Sequence, residues 1–187
     1  MYGLQAERRA PLTSSVNTRI GRYFIIVSTG IFGLDLATKN WAETYLRYAP
    51  DIKVIGEFLK FSYSTNSGAA FNVLTEATLI LTTLKLVVAG LLIYFIRQVT
   101  SLRWAIALSL LLGGVLGNLF DRIFRPPGIW RGEVIDWIEL PNWPTFNIAD
   151  SAIVIAGISL ALLATFNIPF RDDRENRGES DSQGVER

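Results

Sequence analysis

Three aspartates stand where apolar sequence begins or ends. The stretch "GGVLGNLFDR" closes one apolar run with Asn118, Asp121 and Arg122, and "FNIADS" opens another with Asn147 and Asp150. Both carry an Asn-x-x-Asp spacing. Residues three apart share a helix face, so each pair points together. Between them, "VIDWI" holds Asp136 in an apolar setting. Two carboxylates close to one another do not both ionise easily, and a shared proton can persist near neutral pH. One group can then deprotonate water while the other protonates a carbonyl oxygen. That is the chemistry of an aspartic protease, and it needs neither His nor Cys. The chain contains neither residue. Ser-His-Asp triads, Cys-His dyads, zinc sites built on those ligands and disulfides are therefore excluded. Asp150 lies in the first turn of its helix, where the dipole favours an anion, which makes it a candidate base. The spacing does not choose between Asp121 and Asp136 as its partner. The "DTG" or "DSG" signature of soluble aspartic proteases is absent.

The elements that must carry these residues are membrane spans. The chain has 187 residues, half of them hydrophobic, and a mean hydropathy of +0.30. These values indicate one domain and a membrane protein. A net charge of +1 makes no case for nucleic acid. A helical span needs roughly 20 mostly apolar residues. Four stretches qualify, at about 22–42, 77–96, 104–120 and 148–169. Residues 1–21 read as a polar tail, 22–170 as the membrane domain, and 171–187 as a disordered tail without aromatics. The first span resembles a signal peptide in its charged flank and apolar run. It lacks a convincing cleavage site and continues through Asp35 and Lys39, so it reads as retained.

Orientation follows from Lys and Arg in the loops. Arg8, Arg9, Arg19, Arg22, Arg97, Arg103 and the arginines of the C-terminal tail outnumber Arg47, Lys53, Lys60, Arg122, Arg125 and Arg131. Both termini then lie in the cytoplasm. Asp35, Lys39, Asn118, Asp121, Arg122, Asn147 and Asp150 converge on the outer face, and Trp41, Trp130, Trp137 and Trp143 fall near the outer interface. Residues 52–64 alternate as a small outer hairpin lying on the membrane. The stretch "NSGAAF" follows, with Asn66 and Gly68. Its small residues would let another chain approach closely.

Each group also has a plain structural reading. Asp35 and Lys39 are an i,i+4 ion pair, Asp121 beside Arg122 a helix-end network, Asp150 a helix cap, and Asp136 a solvated loop residue. Lys85, deep in the second span, has no assigned role. Convergence on one face favours the functional reading. A small proton- or ion-coupled transporter, a non-enzymatic scaffold and a Ser-Lys peptidase using Lys39 and Ser67 are the competing functions. Charges gathered at one face rather than the midplane, with no inverted repeat, speak against transport.

Together "NSGAAF", "GGVLGNLFDR", "VIDWI" and "FNIADS" resemble the bacterial lipoprotein signal peptidase family, signal peptidase II, over about residues 22–170. The resemblance implies an all-α membrane protein with four transmembrane helices, a small extracytoplasmic β-hairpin or cradle, and outer loops. It implies a monomeric aspartic endopeptidase of the bacterial inner membrane, without cofactor or metal, active at the periplasmic face. Its substrate is a prolipoprotein in membrane lipid, cut before a diacylglyceryl-modified cysteine. The resemblance assigns catalysis to Asp136 and Asp150 and support to Asp121. Asn66, Gly68, Asn118 and Arg122 then contact substrate or a globomycin-like inhibitor, Asn147 orients the dyad, and Asp35 with Lys39 form the charged pair of the first span. Leu36 stands where a glutamine is common in the family. The distance from Arg122 to Asp136 is longer than usual. The extra residues in 123–133 include Pro126, Pro127 and Gly128. They are expected to form an outward loop that leaves Asp136 in place, so that deleting residues 125–130 spares cleavage.

Overall fold

The computed structural model describes residues 18–68 and 75–171. The chain runs α1 (Thr18–Tyr45), β1 (Ile52–Ile55), β2 (Leu59–Asn66), α2 (Thr75–Phe95), a 3-10 turn (Ile96–Gln98), α3 (Leu102–Phe124), β3 (Val134–Glu139) and α4 (Ile148–Thr165). All four α-helices are long and apolar enough to cross a membrane. Of the tails expected at 1–21 and 171–187, residues 1–17 and 172–187 lie outside the described residues, as do Ala69, Ala70 and Phe71 of "NSGAAF", while 18–21 are the first residues of α1.

The helices extend past several of the expected ends. α1 starts at Thr18 and α3 continues to Phe124, because helical hydrogen bonding persists once the chain leaves hydrocarbon for the interface. α4 stops earlier, at Thr165, where Asn167 takes a left-handed φ of 51° just before Pro169.

α3 is the central helix. It packs against α1, α4 and α2, and most of its residues are buried. Close approach is possible because α3 presents glycine where its neighbours cross. A methyl group at Gly114 would lie 2.5 Å from the Ala149 carbonyl oxygen, and one at Gly117 would lie 2.5 Å from the Asp35 carboxylate. Small residues of this kind bring membrane helices together by packing and polar contact, since lipid offers no hydrophobic drive between them. The outer flanks stay apolar and exposed, as at Ile25, Leu84 and Val154.

The sheet is larger than the expected hairpin. β1 and β2 form the expected antiparallel pair, and β3 adds to the other edge of β2 in the order β1-β2-β3. Asp136, read from sequence as a surface or loop residue, therefore sits on a strand, directly opposite Ser64. The apolar stretch "VIDWI" is too short to separate a strand from a loop; pairing with β2 supplies what local pattern does not. Trp137 and Ile135 pack with Ala42 of α1 and with Leu46 in the turn just beyond it. Trp41, Phe61 and Trp137 meet edge to face at 5.0–5.9 Å. Trp137 is thus a buried anchor of the sheet on α1 rather than an interface residue, whereas Trp143 is exposed.

Candidate active site

The C-terminal ends of α1 and α3, the strand β3 and the N-terminal end of α4 enclose a buried polar cluster. Its base is Lys39, fully buried. The Lys39 ammonium meets Asp35 at 2.7 Å, Asp121 at 2.7 Å and Asn118 Oδ1 at 3.0 Å. The ammonium thus makes two ion pairs and one hydrogen bond. That contact also orients Asn118. An ammonium only donates, so the amide oxygen must face it, and the Asn118 Nδ2 is turned outward. It donates to Asp150 Oδ1 at 2.7 Å.

Asn147 plays the matching part for Asp136. It is the N-cap of α4: its Oδ1 accepts from the Asp150 backbone N–H at 2.9 Å, while Asp150 Oδ2 accepts from the Asn147 N–H at 3.3 Å. This reciprocal box fixes the amide. The Asn147 Nδ2 therefore points at Asp136 Oδ1, 2.6 Å away. It also lies 3.3 Å from Asn118 Oδ1, so the two amides meet. Asp35 adds a second cap to α4 by accepting from the Ala149 N–H at 2.8 Å. The Asn-x-x-Asp echo of the sequence thus resolves into two amides, each aiming at one carboxylate of a pair.

Asp136 is buried and Asp150 half-buried. Burial, reinforced by the charge of Asp150, pushes the Asp136 carboxyl up to about 6, against hydrogen bonds from Asn147 and Asn66 that favour its charged form. Asn66 lies two residues beyond Ser64 on β2, hence on the same sheet face as Asp136. Its Oδ1 accepts from the Gly68 N–H at 2.7 Å. Gly68 has φ of 78° and leaves room for the Arg122 guanidinium, which would stand 2.8 Å from a side chain there. Arg122 is buried, donates from Nη1 to the Gly132 carbonyl at 2.9 Å, and leaves its Nε without a partner among the described residues.

Asp121 is differently placed. One oxygen meets Lys39 and the other accepts from Arg125 Nε at 2.6 Å. Both oxygens are committed to cations, and the Ile135 N–H lies 3.4 Å away. Arg125 continues outward to Glu43 and to Asn40 Oδ1 at 2.9 Å. Asn40, Glu43 and Arg125 went unremarked as site residues in the sequence. The i,i+4 ladder Asp35-Lys39-Glu43 and the pair Asp121-Arg125 were the signals that could have found them.

The inserted loop closes on itself. Gly132 N–H donates to the Arg122 carbonyl and Glu133 N–H to the Pro126 carbonyl, both at 3.0 Å. Ile129 at its tip is exposed. It is not wholly detached, because Thr82 Oγ1 of α2 donates to the Trp130 carbonyl at 3.1 Å. A deletion of 125–130 would therefore remove more than an excursion: half-buried Arg125 pairs with buried Asp121.

A polytopic membrane protein with a carboxylate pair at one end of its bundle is the class that this fold and site define. The chain matches the family model of signal peptidase (SPase) II over residues 27–166. The lipoprotein signal peptidase of Streptomyces griseus is 42% identical over 155 residues, covering 81% of this chain and 79% of that one. That of Mycobacterium tuberculosis is 36% identical over 149 residues, covering 80% and 74%. A bacterial membrane enzyme solved by the in meso method superposes with a TM-score of 0.69 at 29% identity, covering 78% of this chain and 93% of that one. The chain belongs to the signal peptidase II family, a family of membrane peptidases. Transporter and scaffold readings lose their footing with that membership.

Proposed function

We propose that this chain is an aspartic endopeptidase that removes the signal peptide from diacylglyceryl-modified prolipoproteins, cutting before the lipidated cysteine. Family membership supports lipoprotein signal-peptide cleavage. The observation that carries the mechanism is the pairing of Asp136 and Asp150 through two amides whose orientations are each fixed from behind. Asp121 is the weaker candidate, because both its oxygens are held by cations.

The roles follow from environment. Asp136, with its raised affinity for a proton, is the acid. Asp150, at a helix N-terminus with donors on both oxygens, is the base. Asp150 takes a proton from water as the water oxygen bonds to the scissile carbonyl carbon, and Asp136 gives its proton to the carbonyl oxygen. Collapse of the tetrahedral diol breaks the C–N bond, and the cysteine nitrogen leaves as an amine after taking a proton from the dyad. Asn66 and Arg122 are the groups that hold substrate backbone. The lipid anchor keeps the cysteine in the bilayer while its scissile bond reaches the outer surface, so positioning rests on membrane attachment. The arginine distribution supports an inner-membrane protein with cytoplasmic termini and a site at the outer face.

The test is a gel-shift cleavage assay in proteoliposomes with a prolipoprotein offered with and without diacylglycerol. The wild type is expected to cut only the lipidated substrate. Asp136→Asn and Asp150→Asn are expected to lose at least about a thousandfold, as removal of a group acting in the transition state does. Normal cleavage by either variant overturns the dyad.

A further inference from the structure

Lys85 is a cation well inside α2 that the proposed mechanism leaves unused. It lies on the bundle-facing stripe of α2, in register with buried Thr78 and Thr82 above and buried Ala89 and Leu92 below. That stripe changes from polar to apolar at Lys85. The side chain is half-buried, and among the described residues it makes no hydrogen bond or ion pair. The charged groups whose fields reach it are Arg122, Asp150, Lys39 and Asp136, two cations against two carboxylates. Its ammonium thus feels both carboxylates of the dyad without forming an ion pair with either among the described residues.

A cation at membrane depth is costly and normally finds an acceptor. α2 packs on α3, and the described residues give it no comparable contact with α4. Below Asp150, Val154 and Ile158 of α4 are exposed. The flank of the dyad between α2 and α4 is therefore open to lipid and apolar chains, and Lys85 stands at its upper edge. A signal-peptide helix entering there brings backbone carbonyls already bonded within the helix. The diacylglycerol on the cysteine brings ester carbonyls, which are neutral, accept only, and have no partner of their own once water is excluded.

We propose that Lys85 is a lipid-recognition residue whose ammonium donates to an ester carbonyl of the substrate's cysteine-linked diacylglycerol. The inference rests on the peptidase reading above and adds to it the residue that distinguishes the lipidated cysteine. The contact positions the lipid, not the reacting atoms.

The experiment compares kcat/KM in proteoliposomes for two prolipoproteins, one carrying a diester and the other a diether glyceryl group on the cysteine. The ether oxygen is a much poorer acceptor. Wild type is expected to favour the diester by about tenfold, as for a charge-assisted hydrogen bond. Lys85→Met is expected to cut both substrates alike, at the wild-type rate for the diether, which also reports an intact fold. Lys85→Arg is expected to keep the preference. A preference that persists in Lys85→Met, or is missing from the wild type, overturns the inference. A wild type that cuts neither lipidated substrate overturns the peptidase reading itself and takes this inference with it.

Discussion

Lys39 is the residue on which the others depend. It neutralises Asp35 and Asp121 and sets the amide of Asn118, all out of water. Removing one partner of a buried pair leaves uncompensated charge, so Lys39→Met is expected to destabilise by about 3–5 kcal/mol. Thermal unfolding in detergent checks it; an unchanged midpoint would mean that the cluster is not ionised. Titration of the dyad gives a second residue-scale expectation. In the proposed mechanism the reactive form holds one proton, on Asp136, whose carboxyl is pushed up to about 6. Raising pH through that value removes the proton, so kcat/KM should fall on the alkaline side. Asn66 favours the charged form of Asp136. Asn66→Ala should therefore move the alkaline limb of the kcat/KM profile to higher pH, and a shift to lower pH would refute that role. Asp35, Lys39 and Asp121 were legible in the sequence as charged groups at a span end. That Lys39 joins all three polar partners was not, because Asn118 and Asp121 come from a helix far along the chain.

At the scale of elements, the site exists because α3 lets α1 and α4 approach. Gly117→Leu would place a side chain where the Asp35 carboxylate lies. Overpacking of this kind costs about 1–3 kcal/mol, and here it would also part Lys39 from Asn118. Cleavage should fall more than stability does, which activity and unfolding measured on one preparation would reveal. The loop between α3 and β3 divides into two parts. Shortening it between Arg125 and Arg131 is expected to leave cleavage within severalfold of wild type. Arg125→Ala, which frees one oxygen of Asp121, is expected to cost about 3 kcal/mol of stability. Equal losses from both changes would show the tip to be part of the site. The helices were readable from apolar length and the β1-β2 pair from alternation. β3 was not, since "VIDWIE", buried over its first four residues, carries no period that local pattern can use.

At the scale of the whole molecule, the buried charges gather at one end of the bundle, and exposed apolar flanks surround the remainder. A chain without cysteine makes its topology easy to test. Tyr48→Cys, at an exposed turn beyond α1, should react with an impermeant thiol reagent from outside intact cells. Ser101→Cys, in the joint before α3, should react only after lysis. The reverse pattern would invert the proposed orientation.

The sequence by itself determined four spans, the absence of His and Cys chemistry, and the meeting of Asp121, Asp136 and Asp150 near one membrane face. Length, hydropathy and composition suffice for these, because each is a property of single segments. Only the tertiary structure decided which aspartates are alike. Asp121 is locked between Lys39 and Arg125, while Asp136 and Asp150 are joined through Asn147 and Asn118. The physical reason is that a carboxylate's role depends on the donors and charges within a few ångströms, and here those arrive from other helices and from a strand.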